Sequence, residues 1–241
     1  MKKKSVSEEL ASQGYSILQG LSVKNASWGA ILQNSHKGFQ QFLQSWDDLP
    51  EDNFLSDGGH YRFRRYSVFN WLEGSQLKLL PHEAHYQSTY RNNMNGGIYR
   101  EYEAFKKTTI ESPLLENIIQ FIAKKIGYGG EKNWRVQAHQ FRIQANADEA
   151  GQPTPEGIHR DGADFILIMV LDRHNITGGV NHIYDDAKRL VFGGILENTG
   201  DAVLIDDQKV WHGVSEVYPK DENQPAYRDV LVLTFHSKTM L

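Results

Sequence analysis

The chain has 241 residues, no cysteine, and 26 Lys plus Arg against 30 Asp plus Glu, for a formal net charge of -4. That length fits one large domain with room for a sizeable core, while the lack of cysteine excludes a disulfide-stapled module, a thiolate metal site and a cysteine nucleophile. The mildly acidic balance argues against nucleic-acid binding, which needs a basic face.

Met1-Lys2-Lys3-Lys4 is followed by the polar stretch Ser5 to Gln13 rather than by an apolar run, so it reads as a solvated terminus and not as a signal peptide. The longest strongly apolar run, Phe165 to Leu171, is far too short to cross a bilayer, and a soluble cytoplasmic protein is the expectation. From Asn25 to Trp46, the residues Trp28, Ile31, Leu32, Ser35, Phe39, Phe42, Leu43 and Trp46 recur at three-and-four spacing, which predicts an amphipathic helix. Asp52 to His60, with Ser56-Asp57-Gly58-Gly59, reads as a loop. Next, Arg62 and Arg64 alternate with Tyr61 and Phe63 as on a strand. Arg91 to Gly97 reads as a second loop, and either loop is a candidate lid as well as an ordinary connection. Ser112 as cap and Pro113 in the first turn open another helix, in which Leu115, Ile118, Ile119, Ile122 and Ile126 share a face and Gly127 ends it.

The texture changes near residue 130. From Trp134 on, short strands are predicted at Val136–Gln144, Ile158–Asp161, Phe165–Asp172, Val180–Tyr184, Arg189–Phe192, Ala202–Ile205, Val210–Val217 and Val230–His236. About eight short strands with Gly- and Asp-rich turns argue for a mainly β fold with flanking helices, most simply a jelly roll. The expected organisation is one domain over 1–241: a helical and strand-bearing support region over 1–130 and a jelly-roll core over 131–241.

His159 and Asp161 lie two apart, so on a strand they project together with Arg160 turned away. Imidazole and carboxylate suit a divalent first-row metal. His212 lies on a face with Val210 and Val214 and can add a third ligand. Two His and one carboxylate on one side of a metal mark non-haem Fe(II) oxygenases, although the same set can hold Zn. Arg228 shares a face with Val230, Val232 and Thr234 at the mouth of the last strand. There a buried cation needs an anion, either an acid of the chain or a ligand carboxylate clamped bidentately, with Thr234 adding a hydroxyl.

The blocks Pro155-Glu156-Gly157-Ile158-His159-Arg160-Asp161-Gly162, Thr177-Gly178-Gly179, Asp206-Asp207-Gln208-Lys209-Val210-Trp211-His212-Gly213-Val214 and Arg228-Asp229-Val230-Leu231-Val232-Leu233-Thr234-Phe235 resemble the small bacterial 2OG-Fe dioxygenase family. That family includes L-isoleucine dioxygenase-like free amino-acid hydroxylases and biofilm stress and motility protein homologues. The resemblance covers roughly residues 135–237, with a weaker echo at Tyr61 to Tyr66. It implies a double-stranded β-helix (jelly roll, cupin-like), His159, Asp161 and His212 as Fe(II) ligands, and Arg228 as the clamp on 2-oxoglutarate, with O2 as co-reactant. A free amino acid is the implied small-molecule substrate, hydroxylated or sulfoxidised. Gln140 and Arg142, if the polar face of their strand points inward, and Arg62 and Arg64 at the entrance are the candidate substrate residues. The chain departs from isoleucine dioxygenase at Gly162 and from many relatives at Val180, where acidic residues stand. Two other readings stay open: a metal- and 2-oxoglutarate-binding stress or biofilm protein without robust turnover, and a zinc metalloenzyme. The oligomeric state is open too, a homodimer included.

Overall fold

In the computed structural model, which describes residues 4–21, 27–33, 36–127, 130 and 132–237, the chain opens with helix α1 (Val6–Gln13). The Ser5 hydroxyl accepts from the Glu8 amide while the Glu8 carboxylate accepts from the Ser5 amide, so the helix start is satisfied reciprocally. Strand β1 (Tyr15–Leu18) and helices α2 (Ser27–Gln33) and α3 (His36–Gln44) follow. The helix expected from Asn25 to Trp46 therefore corresponds to two described helices; Asn25, Ser35 and Met1 to Lys3 lie outside the described residues. Next come β2 (Arg62–Leu72), β3 (Lys78–Leu79), β4 (His85–Tyr86), β5 (Tyr99–Arg100) and α4 (Lys107–Ile110). Helix α5 (Pro113–Ile126) starts where its sequence predicts, with the Ser112 hydroxyl accepting from the Leu114 amide. Its apolar stripe, Leu115, Ile118, Ile119, Ile122 and Ile126, is fully buried, each side chain contributing about 1.5–3 kcal/mol.

The remaining strands are β6 (Asn133–Ala145), β7 (Phe165–His174), β8 (Ile176–Gly178), β9 (Val180–Tyr184), β10 (Leu190–Ile195), β11 (Ala202–Asp206), β12 (Trp211–Val214), β13 (Val217–Pro219) and β14 (Ala226–Ser237). Seven strands form the major sheet in the order β1-β11-β7-β14-β6-β2-β3. The sheets β10-β9-β12 and β13-β8 complete the jelly roll. Two expected strands differ. Ile158–Asp161 is not a strand but one antiparallel bridge, His159 to His212. Val210–Val217 splits in two, because β12 pairs with β9 whereas β13 pairs with β8.

Alternation sorts the layers. On β7, Leu167, Met169 and Leu171 pack with the helices, while Ile166, Ile168 and Val170 face the interior of the roll. On β14, Leu231, Leu233 and Phe235 pack with the helices and Val230 lies inside. The continuous apolar runs of both strands thus reflect burial on both faces. The change of texture near residue 130 does not mark a structural seam, because β1, β2 and β3 belong to the same sheet as β6, β7, β11 and β14.

Candidate active site

A cavity of about 300 Å³ opens at one end of the roll. His159 and His212 meet there through reciprocal backbone hydrogen bonds of 2.9 and 3.1 Å, which bring their rings to 4.4 Å. The Nε2 atoms of His159 and His212 each lie 3.6 Å from an oxygen of Asp161. Ligand atoms of all three residues fall within 4.8 Å of one another. His159 Nδ1 lies 3.0 Å from the Gly157 carbonyl, which can only accept, so Nδ1 carries the proton and Nε2 presents its lone pair. Burial, reinforced by His159, pulls the His212 imidazole down to about 3, which keeps it neutral as a ligand. Burial also lowers His159, but the Glu156 and Asp161 carboxylates outweigh it and raise that imidazole. Asp207 holds the turn behind Asp161 by accepting from the amides of Asp161, Gly162 and Ala163 at 3.2, 2.7 and 3.1 Å. Burial and the Asp161 carboxylate push Asp207 up to about 7. Two imidazoles, a carboxylate and a fixed tautomer fit a divalent iron with open positions.

Arg228 projects into the same cavity from β14 and is 2% exposed. Its Nε and Nη2 have no hydrogen-bond partner among the described residues. Burial and the neighbouring Arg173 pull its guanidinium down to about 9. Thr234, six residues further along the same face, also lines the cavity, its hydroxyl 3.5 Å from Gln137 Oε1. Arg62 and Arg64 line it from β2, because β2 and β6 pair with Arg62 opposite Ile143 and Arg64 opposite Phe141. Arg62 Nε donates to Asp52 at 2.7 Å, and Arg64 lies 3.6 Å from the same carboxylate. The Arg64 guanidinium is held between Tyr102 and Phe141, 3.7 and 4.4 Å from the ring centres. Its Nη2 donates to His139 Nδ1 at 2.6 Å. Burial, then Arg64, drive the His139 and His85 imidazoles well below their ordinary value, so both are neutral.

Gln140 and Arg142 do not face the cavity. On β6 the odd positions Gln137, His139, Phe141 and Ile143 line it, and the even ones face the other way. Gln140 donates to the Ser45 hydroxyl at 2.8 Å, and Arg142 forms a bidentate pair with Asp229 at 2.8 and 2.7 Å. Both faces of β6 carry polar residues because both are covered, so polarity did not mark the inner one. Arg142→Ala is accordingly expected to leave kcat/KM within about twofold while lowering stability by about 2 kcal/mol, since it strands the buried Asp229 carboxylate. Denaturant titration beside steady-state kinetics checks this.

Sequence patterns missed four residues of the cavity wall. Arg100, on the short strand β5, donates to Gln87 at 2.9 Å, and Gln87 donates to Asp161 at 3.0 Å. His85 lines the wall as well. Glu156 lies inside the block that carries His159, yet nothing in its spacing assigned it a role. Two-residue strands have no legible period, which is why the β4–β5 hairpin gave no signal. The two loops read as candidate lids are joined, the Asn95 side chain accepting from the Ser56 amide at 2.9 Å.

The family model for 2OG-Fe dioxygenases matches residues 43–234. The chain belongs to that family. This dioxygenase is thus an Fe(II)/2-oxoglutarate-dependent oxidoreductase, its cofactor Fe(II) and its co-reactants 2-oxoglutarate and O2. It is 24% identical over 235 residues to the 3(1)-hydroxy-L-isoleucine 4-dioxygenase of Pantoea ananatis (strain AJ13355), covering 94% of this chain and 93% of the relative. It is 22% identical to the L-isoleucine-4-hydroxylase of Bacillus thuringiensis, over 86% of each chain. Among solved structures it resembles a bsmA homolog from Methylobium petroleophilum PM1, with a TM-score of 0.83 and 34% identity over 97% of this chain and 92% of that one. It shares its fold with IDO from Bacillus thuringiensis, with a TM-score of 0.78 and 20% identity over 97% of this chain and 98% of that one. No helix among the described residues is long and apolar enough to cross a membrane.

Proposed function

We propose that this dioxygenase hydroxylates the side chain of a small free L-amino acid or a close derivative, releasing succinate and CO2. The observation that carries the reading is one cavity holding the His159, Asp161 and His212 donor atoms together with two separate sets of buried arginines, Arg228 on β14 and Arg62 with Arg64 on β2. His159, Asp161 and His212 would hold the iron. When bound, iron with 2-oxoglutarate and O2 supplies the oxidising power for attack on an unactivated carbon. Arg228, whose Nε and Nη2 have no partner among the described residues, takes the distal carboxylate of 2-oxoglutarate. Arg62 and Arg64, stacked against aromatic rings and steadied by Asp52, take the carboxylate of the substrate. Phe141, Ile168, Val230 and Val232 keep the cavity wall apolar, which excludes water and leaves room for an aliphatic side chain. The L-isoleucine relatives support a free amino acid as the substrate class.

The test has two parts. Fe(II) followed by 2-oxoglutarate, without oxygen, should give a visible metal-to-ligand charge-transfer band with the wild type and none with His159→Ala. A screen of free amino acids should then find one that stimulates succinate release. A band without any stimulating amino acid would sink the substrate assignment. The absence of a band would sink the site assignment.

A further inference from the structure

Glu156 sits in the turn before His159, with a side chain 10% exposed. It lines the cavity, and its Oε2 is buried without a hydrogen-bond partner among the described residues. Its Oε1 faces His159 Nε2 at 3.5 Å. That nitrogen is the one whose lone pair is presented to the metal, since Nδ1 is committed to Gly157. Metal binding therefore takes away the nitrogen that Glu156 faces. Glu156 does not belong to the convergent set of His159, Asp161 and His212. A carboxylate this buried, with neither oxygen matched to a donor, is costly unless a cationic or N–H donor arrives with the ligand.

The cations near it among the described residues do not meet that need. Arg160 is turned outward, donating to the Val210 carbonyl and to Asp186 at 3.0 Å each. Arg91 lines both this cavity and a neighbouring cleft with Glu156 but forms no ion pair with it within 4.0 Å among the described residues, and its guanidinium lies over the Tyr90 ring. Arg62 is close enough for its charge and that of Glu156 to interact, yet its buried Nη2 is also without a hydrogen-bond partner among the described residues. A free acceptor and a free donor of opposite charge on one cavity, not touching each other, match a ligand that carries both charges a short distance apart.

We propose that Glu156 accepts the α-ammonium group of the substrate while Arg62 donates to its carboxylate, so that Glu156 makes the site selective for amino acids over their deaminated analogues. The inference rests on the amino-acid reading above. A 2-hydroxy acid of the same side chain would satisfy Arg62 but leave Glu156 without a matching charge, and such a mismatch discriminates strongly in a buried site.

The test is calorimetric and needs no turnover. Protein loaded with Mn(II) and 2-oxoglutarate is titrated with the proteinogenic amino acids, L-isoleucine first, and then with the 2-hydroxy analogue of the tightest binder. The wild type should prefer the amino acid by about tenfold or more. Glu156→Gln should weaken the amino acid by a similar factor, leave the 2-hydroxy acid unchanged or tighter, and keep Mn(II) and 2-oxoglutarate affinity within about twofold. A wild type that binds both ligands equally overturns the inference even if the variant does not fold. Unchanged amino-acid binding by Glu156→Gln overturns it while leaving the amino-acid reading intact. Loss of Mn(II) from that variant would assign Glu156 to the metal site instead. A wild type that binds no amino acid overturns the inference and the reading together.

Discussion

Replacing Arg228 with methionine is expected to stabilise the protein in the absence of 2-oxoglutarate and to weaken its affinity for 2-oxoglutarate by at least about 100-fold. The two effects share one cause. Arg228 is buried beside Arg173, and its Nε and Nη2 have no partner among the described residues. Its neighbour in sequence, Asp229, points to the other face and is occupied by Arg142. Gly179 adds to the closeness: its φ is +69°, and a Cβ there would come within 2.9 Å of Arg173 Nη1. A cation so placed raises the free energy of the empty protein, and methionine, of similar length and apolar, should recover about 1 kcal/mol or more. The same unpartnered nitrogens are what a carboxylate would satisfy with two charge-assisted hydrogen bonds, each contributing about 1.5–3 kcal/mol. Thermal unfolding without 2-oxoglutarate and titration of the anaerobic charge-transfer band with it check both halves. Iron binding should persist, since Arg228 is not among the converging donors. A variant that is less stable and still binds 2-oxoglutarate as the wild type does would remove Arg228 from the clamp.

Asp52→Asn should cost about 3–5 kcal/mol of stability at neutral pH and raise the KM for the substrate. Asp52 is 1% exposed and is the carboxylate shared by Arg62 and Arg64. Its other oxygen accepts from the Phe54 amide at 3.0 Å, so the loop from Asp52 onward is anchored by the residue that balances the arginines. Asparagine keeps the shape but takes from two buried cations the carboxylate that they share. Burial by itself would push the Asp52 carboxyl up, but Arg62 and Arg64 outweigh it and hold the group below its ordinary value. A carboxyl depressed by folding contributes stability that is complete above its unfolded value, about 4, and is lost as pH falls through the folded one. The stability gap between wild type and variant should therefore narrow as pH falls below about 4. Urea titrations across that range measure it. Equal stability at pH 7 would mean that the arginine pair does not depend on Asp52.

Much of the frame was legible because it rests on local physics. Ser112-Pro113 and Gly127 bound a helix through backbone groups that have no partner inside it, and α5 runs between them. The runs of β7 and β14 are apolar throughout because both faces are buried. His159-Arg160-Asp161 brings its two ligand types together even though the segment is a single bridge at His159 followed by irregular backbone and not a strand. The reading survived its wrong local structure because Arg160 is still drawn outward, its guanidinium lying over the Trp211 ring.

What failed was the choice between two equivalent faces. A strand has period two, so Gln140 and Arg142 share one face and His139 and Phe141 the other, but nothing along the chain says which pair meets the helices. The register of β6 against β2 and β14 decides it, by aligning His139 with Tyr66 and Val232 inside the roll and Gln140 with Arg65 and Leu231 on the other side. The same holds for Arg100, Gln87 and Asp52, whose importance lies in partners 10 to 74 positions away, such as Asp161 for Gln87 and Arg62 for Asp52.

By itself, then, the sequence determined the caps, the alternation and the residue types able to hold a metal and an anion, since each depends on neighbours within a few positions. Only the tertiary structure decided which arginines face the cavity, which are cancelled by acids, and that Glu156 stands there without a donor. Those outcomes depend on the closing of one sheet on another, where charges far apart along the chain become neighbours in a medium that screens them poorly.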